Sequence, residues 1–264
     1  MKTIKEKKIS LITVVLNDEK NIEKTIKSIN AQNYKNIEYI IIDGKSKDRT
    51  LEIIKKYKKN ITLLISEKDN GLYDAMNKGL KKCSGDIVGI INSGDIYYKN
   101  TLKLVNNYFS QNQDIDFLFG PVKKHWGILN EYKPWKIFYT WFFYTSHSTG
   151  FFITKKAMKK NGKYNLKYKY SSDFDYFYKL IVHNKMKGAL ATKKKIFGYF
   201  RPGGISSKLD YWTHFYEKFN IRKDNGQNKL FLAILMAAKI IRDFKYTKNI
   251  NLSDFLIFIK NFFF

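Results

Sequence analysis

The apolar run Ile87-Val88-Gly89-Ile90-Ile91 stops abruptly at Asn92-Ser93-Gly94-Asp95. Two upstream runs end in the same way. Tyr39-Ile40-Ile41-Ile42 leads into Asp43-Gly44-Lys45-Ser46-Lys47-Asp48, and Ile9–Leu16 leads into Asn17-Asp18-Glu19. Short unbroken apolar runs of this kind read as strands buried on both faces of a parallel sheet. Each delivers an acidic or amide side chain to a loop. In an open parallel sheet such loops converge on one crevice.

Between the runs the period changes from strand-like to helical. Ile22, Ile26 and Ile29 predict a helix over 21–31, and Leu51, Ile54 and Tyr57 predict one over 48–57. Further strands are expected at 61–65 and 117–122, with helices at 72–82 and 99–109. Strands alternating with helices predict an α/β fold with a mostly parallel, Rossmann-like sheet and right-handed crossovers. After residue 123 the pattern changes. Residues 123–146 are aromatic and irregular; strands are predicted at 150–153 and 195–200, a helix at 173–183, and helical structure from 209 onward. The chain is therefore read as one catalytic unit, 1–207, with halves 1–122 and 123–207, followed by a C-terminal helical segment, 208–264.

Composition narrows the choice of partner. The chain has 264 residues, of which 44% are hydrophobic, which is enough for a substantial core. Lys and Arg number 49 against 23 Asp and Glu, giving a net charge of +26. A surface so basic attracts polyanions: nucleic acid, anionic lipid or phosphorylated substrates. Lysine spread along the whole chain also fits solvated helix faces, and composition alone does not choose. Cys83 is the single cysteine, so no intramolecular disulfide and no cysteine-based zinc site is expected, which favours a reducing compartment. No signal peptide is read in the basic start, and no apolar run reaches the ~20 residues of a membrane-spanning helix.

Four constellations bear chemistry. Asp43, at a strand end, is placed to accept hydrogen bonds from a bound base or ribose, while Asp48 is a natural cap for the next helix. Asp95, in a Ser-Gly-Asp turn, suits a hard divalent cation, and the same turn is also ordinary loop chemistry. Asp74, Asn77 and Lys78 fall on one side of a helix that follows the Asn70-Gly71 turn; they either face the crevice or are surface polarity. Asp173 and Asp175 lie two apart, so on a helix only one faces a given substrate. Asp173 as a general base with Asp175 as helper competes with a simple negative charge at a helix start. A nucleic-acid-binding module and a nucleotidyltransferase are the alternative functions. The first would show a groove-reading motif, and the second a glycine-rich basic loop after the first strand; neither is present in the sequence.

Taken in order, Asn17, Asp43-Gly44-x-Ser46-x-Asp48-x-Thr50, Asn70-Gly71-Leu72-Tyr73-Asp74-Ala75-Met76-Asn77-Lys78-Gly79, Ser84-Gly85-Asp86 and Asn92-Ser93-Gly94-Asp95 resemble a family 2 glycosyltransferase of the GT-A fold. The resemblance covers roughly residues 9–207 and is closest to transferases of colanic-acid type and other bacterial surface polysaccharides. It implies an inverting transfer from a nucleotide-diphosphate sugar donor to a saccharide or lipid-linked acceptor, at the inner face of the cytoplasmic membrane. It implies a donor site of Asn17, Glu19, Asp43, Asp74, Asn77, Lys78, Asn92, Ser93 and Arg201, with Asp95 holding Mn²⁺ or Mg²⁺. Asp173 would be the catalytic base, with His147 and Asp175 on the acceptor side. Two departures stand out: Ser93 occupies the place of a second metal carboxylate, and Ser172 that of the usual Glu. The apolar, lysine-rich tail is read as contacting an anionic membrane surface.

Overall fold

The structure is a computed structural model that describes residues 6–141, 143, 148–204, 209 and 211–242. His147, the 205–208 part of the loop after Arg201, and the tail beyond 242 lie outside the described residues.

The first half alternates as the hydrophobic pattern requires. In chain order it runs β1 (Ile9–Val15), α1 (Ile22–Asn30), β2 (Ile37–Asp43), α2 (Thr50–Lys56), β3 (Leu63–Ser66), α3 (Leu72–Lys82), β4 (Ile87–Ile90), β5 (Ile96–Tyr97), α4 (Thr101–Gln111) and β6 (Phe117–Phe119). The second half adds β7 (Val122–Lys124), β8 (Gly127–Leu129), α5 (Lys136–Tyr139), β9 (Phe151–Thr154), α6 (Lys155–Asn161), α7 (Ser172–Tyr178), β10 (Gly188–Leu190) and β11 (Gly198–Tyr199). Two longer helices follow, α8 (Tyr211–Asp224) and α9 (Lys229–Arg242).

Seven strands form the central sheet in the order β10-β6-β9-β4-β1-β2-β3. β1 pairs in parallel with both β2 and β4, with Ile12 opposite Ile40 on one side and Ile90 on the other. β1 is buried along its whole length because helices cover both faces. Successive side chains divide between the two layers. Ile9, Leu11, Tyr39 and Ile41 pack against α1, α2 and α4, whereas Ile12, Val14, Ile40 and Ile42 pack against α3, α6 and α7. β9 enters antiparallel between β4 and β6, the one reversal in an otherwise parallel sheet. The chain leaves β1 toward β2 in one direction and reaches β4 in the other, so the loops after β1 and β4 part at a switch point.

Several predicted elements are redrawn. The strand expected over 117–122 breaks at Gly120-Pro121, because proline cannot donate to a ladder; β6 stays in the large sheet and β7 joins a second one, ordered β5-β11-β7-β8. The helix expected over 173–183 is α-helical only to Tyr178 and then widens into a five-residue turn closed by Asn184 N–H to Lys179 O (2.8 Å). The strand expected over 195–200 contracts to Gly198–Tyr199. β5, β8, α5, α6 and β10 were not legible, being too short to show a period.

The C-terminal helices are built into the second half. Arg222 of α8 is fully buried; its Nη1 donates to Phe138 O (2.7 Å) and Gln227 Oε1 (2.8 Å), and its Nη2 donates to Thr140 O. Its guanidinium lies against the rings of Trp141 (5.1 Å) and Phe174 (5.3 Å). Trp141, Phe215, Phe219, Leu232 and Met236 form their own small apolar cluster beneath α9. Cys83 is a structural thiol: its Sγ donates to Gly79 O (3.4 Å), and burial pushes it up to about 12.

Candidate active site

The loops after β1 and β2 are tied together first. Ser46 Oγ accepts from Asn17 N–H (2.9 Å), and Asn17 Oδ1 accepts from Lys47 N–H (2.8 Å). Asn17 and Lys45 both sit at positive φ, 49° and 64°, backbone states that such residues hold only when neighbours fix them. Asp43 is completely buried; Ser46 Oγ donates to its Oδ1 (2.5 Å) and Ser66 Oγ to its Oδ2 (2.6 Å). Asp69 approaches the same spot, since a Cβ on Gly44 would lie 2.4 Å from Asp69 Oδ2. Two carboxylates, Asp43 and Asp69, therefore close one end of the crevice.

Asp95 stands at the centre. Its Oδ1 accepts from Arg201 N–H (2.9 Å), and its Oδ2 from Thr149 Oγ1 (2.8 Å) and Ser148 Oγ (3.4 Å). Burial pushes its carboxyl up to about 6, even with those donors in place. The Arg201 side chain turns to Asp18, with Nη1 3.2 Å from Asp18 Oδ1, while Ser93 Oγ donates to Asp18 Oδ2 (2.7 Å). Gly94 makes this possible: it has φ of 91°, and a Cβ there would fall 2.5 Å from Arg201 Nε. The Asn92 side-chain oxygen is buried beside this group without a hydrogen-bond partner.

The fit to a divalent cation rests on that chemistry. Asp95 is a buried carboxylate satisfied by two hydroxyls and one amide, and Arg201 directs its guanidinium elsewhere. Divalent cations in nucleotide sites are held by one or two carboxylates together with substrate phosphates. Asp95 with donor phosphates fits that pattern. Among the described residues no cluster of three or more His, Cys, Asp or Glu forms a self-contained metal cage.

Asp173 begins α7 at the far end. Its Oδ1 accepts from Tyr73 O–H (3.1 Å) and from Phe174 N–H (2.9 Å), so α3 and α7 meet at this carboxylate. The hydroxyls of Ser171 and Ser172 are buried beside it and lack hydrogen-bond partners. Lys124 of β7 connects the two ends: its ammonium lies over the Phe200 ring at 4.4 Å and is an electrostatic neighbour of both Asp95 and Asp173. Asp95 and Asp173, distant in sequence, thus share Lys124 as an electrostatic neighbour.

Other predicted residues have different tasks. Asn77 is buried at 8% exposure; its Nδ2 donates to Tyr164 O (2.9 Å), and its Oδ1 accepts from Tyr164 N–H (2.8 Å). Expected to touch the donor, it instead clamps the segment between α6 and α7 onto α3. Asp175, expected on the acceptor side, is 1% exposed, ion-paired to Lys179 (2.7 Å) and bonded to Asn225 Nδ2 (2.8 Å). Its place two residues after Asp173 turns it away from the crevice into the α7–α8 contact. Asp74 accepts from Asn70 N–H (2.9 Å), and Lys78 donates to Lys68 O (2.7 Å) while pairing with Glu67 (2.9 Å). Together they brace the turn that carries Asp69. Glu19 Oε2 accepts from Arg49 N–H (3.0 Å) at the start of α2. Asp48, expected as the cap of α2, lies one place before the N-cap Arg49; its carboxylate accepts from Thr50 N–H (3.0 Å) and from Glu19 N–H (3.1 Å). Asp18, Asp69, Tyr73, Lys124 and Thr149 were not singled out from sequence. Asp18 lay inside a loop already marked as acidic, and Tyr73 inside the motif that follows Asn70-Gly71; Lys124 gave no local signal.

Comparison with known proteins agrees with this geometry. The family model described as Glycosyl transferase family 2 matches residues 10–181, well over half of the chain, and the protein belongs to that family. The chain spans about a third of the length of the first curated relatives it matches. Over 88 residues it is 39% identical to an uncharacterized glycosyltransferase of Mycobacterium tuberculosis; that stretch is 33% of this chain and 34% of the relative. The structure of S. aureus TarS 1-349 in complex with UDP-GlcNAc superposes with a TM-score of 0.68 at 18% identity, over 94% of this chain and 77% of that one. A mannosyltransferase from Pyrobaculum calidifontis, in complex with GDP-Man and Mn²⁺, superposes with a TM-score of 0.63 at 16% identity, over 89% and 70%. At these identities the two structures establish the GT-A fold. No helix among the described residues is long and apolar enough to cross a membrane.

Proposed function

We propose that the crevice binds a nucleoside-diphosphate sugar and passes the sugar, with inversion, to a hydroxyl of a saccharide or lipid-linked acceptor in the building of a bacterial surface polysaccharide. This reading is supported by Lys124, an electrostatic neighbour of both Asp95 and Asp173, whose ammonium lies over Phe200, the residue before Arg201 with its N–H on Asp95. Asp43 and Asp69 form the base and ribose end. Arg201 and Lys124 supply positive charge for the diphosphate, whose charge grows as it leaves. Asp173 takes the acceptor's proton as the hydroxyl oxygen bonds the anomeric carbon; the bond from that carbon to the diphosphate oxygen breaks, and its electron pair leaves with the diphosphate. A single displacement of this kind needs one base, so Asp175 is not required. Mn²⁺ or Mg²⁺, held by Asp95 with the donor phosphates, would add charge compensation for the leaving group.

The test is a screen of nucleotide sugars with Mn²⁺ and simple glycoside acceptors, following free nucleoside diphosphate and the anomeric configuration of the product. Release of nucleoside diphosphate with an inverted product is expected. A product of retained configuration would sink the single-displacement mechanism.

Contact with an anionic membrane surface is part of the same reading. α9 leaves Leu230, Ile234 and Ile241 exposed at 72%, 59% and 76%. Truncating the tail at 226 would also strip Leu232 and Met236 from the Trp141 cluster, so point substitutions are the better probe. The full chain is expected to float with vesicles containing anionic phospholipid, and the triple variant Leu230→Ser, Ile234→Ser, Ile241→Ser to float less. Equal flotation of the two proteins would remove α9 from the contact.

A further inference from the structure

The family match ends at residue 181, and what α8 adds beyond it bears directly on Asp173. Glu217 accepts the Tyr170 N–H with both oxygens (3.1 and 3.0 Å), fixing α8 against the turn that precedes α7. The next residue, Lys218, then places its ammonium 5.8 Å from the Phe174 ring centroid, with Asp173 as its principal electrostatic neighbour of opposite sign. Lys124 is a second cation near the same carboxylate, carried by β7 and packed on Phe200. Neither ammonium makes a hydrogen bond or an ion pair among the described residues. Burial pushes Lys218 down to about 8 and lowers Lys124 as well. Lys239 and Arg222 add further positive charge around Lys218. His214, one turn earlier on α8, is pushed down by burial to about 4 and stays neutral.

Lys218, Lys124 and Asp173 are all half-buried. Desolvated cations are normally matched by a hydrogen-bonded anion. Lys124 has Asp95 as well as Asp173 for opposite charge, whereas Lys218 has Asp173, which is itself bonded to Tyr73 and Phe174. The donor diphosphate belongs at the Asp95–Arg201 end, which leaves the Lys218 side to the other substrate. We infer that the acceptor carries an anionic group, a phosphate or a carboxylate, next to its reacting hydroxyl, and that Lys218 receives it. The inference rests on the proposed transferase reading and specifies the acceptor class for that same site. It makes Lys218 a specificity-determining residue outside the shared family module.

The experiment uses the full chain with any donor that supports turnover and three acceptors sharing one sugar skeleton and one alkyl chain: a neutral octyl glycoside, its octyl phosphodiester counterpart and its uronic-acid counterpart. A charge-assisted contact gives at least about tenfold in affinity. The wild type is therefore expected to show a KM at least about tenfold lower for one or both anionic acceptors than for the neutral one. The phosphodiester and uronic-acid arms distinguish phosphate from carboxylate. Lys218→Gln should abolish that preference by raising the anionic acceptor's KM, with little change in kcat, and Lys218→Arg should restore it. A wild type that uses all three acceptors with equal KM overturns the inference alone, whatever the variants do. A Lys218→Gln protein that keeps the preference removes Lys218 from it. Failure to release nucleoside diphosphate from any nucleotide sugar, with any acceptor, overturns the transferase reading and this inference with it.

Discussion

An Asp173→Asn protein is expected to bind the donor as the wild type does and to transfer sugar about 10²–10⁴-fold more slowly, the range that removal of a positioned general base produces. The substitution is well matched to the site. An amide oxygen still accepts from Tyr73 O–H and Phe174 N–H, so the start of α7 and its contact with α3 are kept. What is lost is the capacity to take a proton from the acceptor hydroxyl. Donor binding, measured by calorimetry with the nucleotide sugar, should be unchanged, because the residues proposed to hold the nucleotide lie at the Asp43 and Asp95 end. Turnover is read from nucleoside diphosphate release in the presence of acceptor. Near-wild-type turnover in this variant would remove Asp173 from the chemistry.

The second large effect has two opposite signs. An Asp95→Asn protein is expected to lose at least about 10²-fold in transfer and yet to be more stable than the wild type at neutral pH without added metal. Burial holds the Asp95 carboxyl at about 6, above its ordinary value of 3.8. Between those values the folded protein binds more protons than the unfolded chain, so the stability due to this group is complete at about pH 4 and falls as pH rises toward 6. Above 6 the ionised carboxylate is a standing cost, on the order of 2 kcal/mol after allowing for imperfect hydrogen bonding of the replacing amide. The variant should therefore melt roughly 5 °C above the wild type at pH 7.5, and the difference should vanish near pH 4. Added Mn²⁺ should raise the melting temperature of the wild type and leave the variant unmoved. Identical melting curves at pH 7.5, or full activity in the variant, would count against a buried, functional carboxylate at this position.

Legibility from sequence followed the reach of each interaction. β1, β2, β4 and α3 were predicted almost residue for residue, since burial on both faces writes an unbroken apolar run and one buried face writes a 3.6-residue period. β7, β8, β10 and β11 each span three residues or fewer, and nothing that short shows a period. Asn77 shows the same limit among the site candidates. Its motif marked it as polar on a helix, and only the position of Tyr164, 87 residues away, made it a clamp rather than a ligand contact.

The sequence by itself determined the α/β class, the strand ends that carry Asp43 and Asp95, and the family, because runs, periods and ordered motifs are properties of neighbours along the chain. Only the tertiary structure decided that Asp18 pairs with Arg201 across 183 positions, that Asp175 turns inward to Lys179 and Asn225, and that Lys218 comes to lie over Phe174, the residue after Asp173. Those outcomes depend on burial and on which charges meet across distant segments, and both are fixed by how helices pack on the sheet.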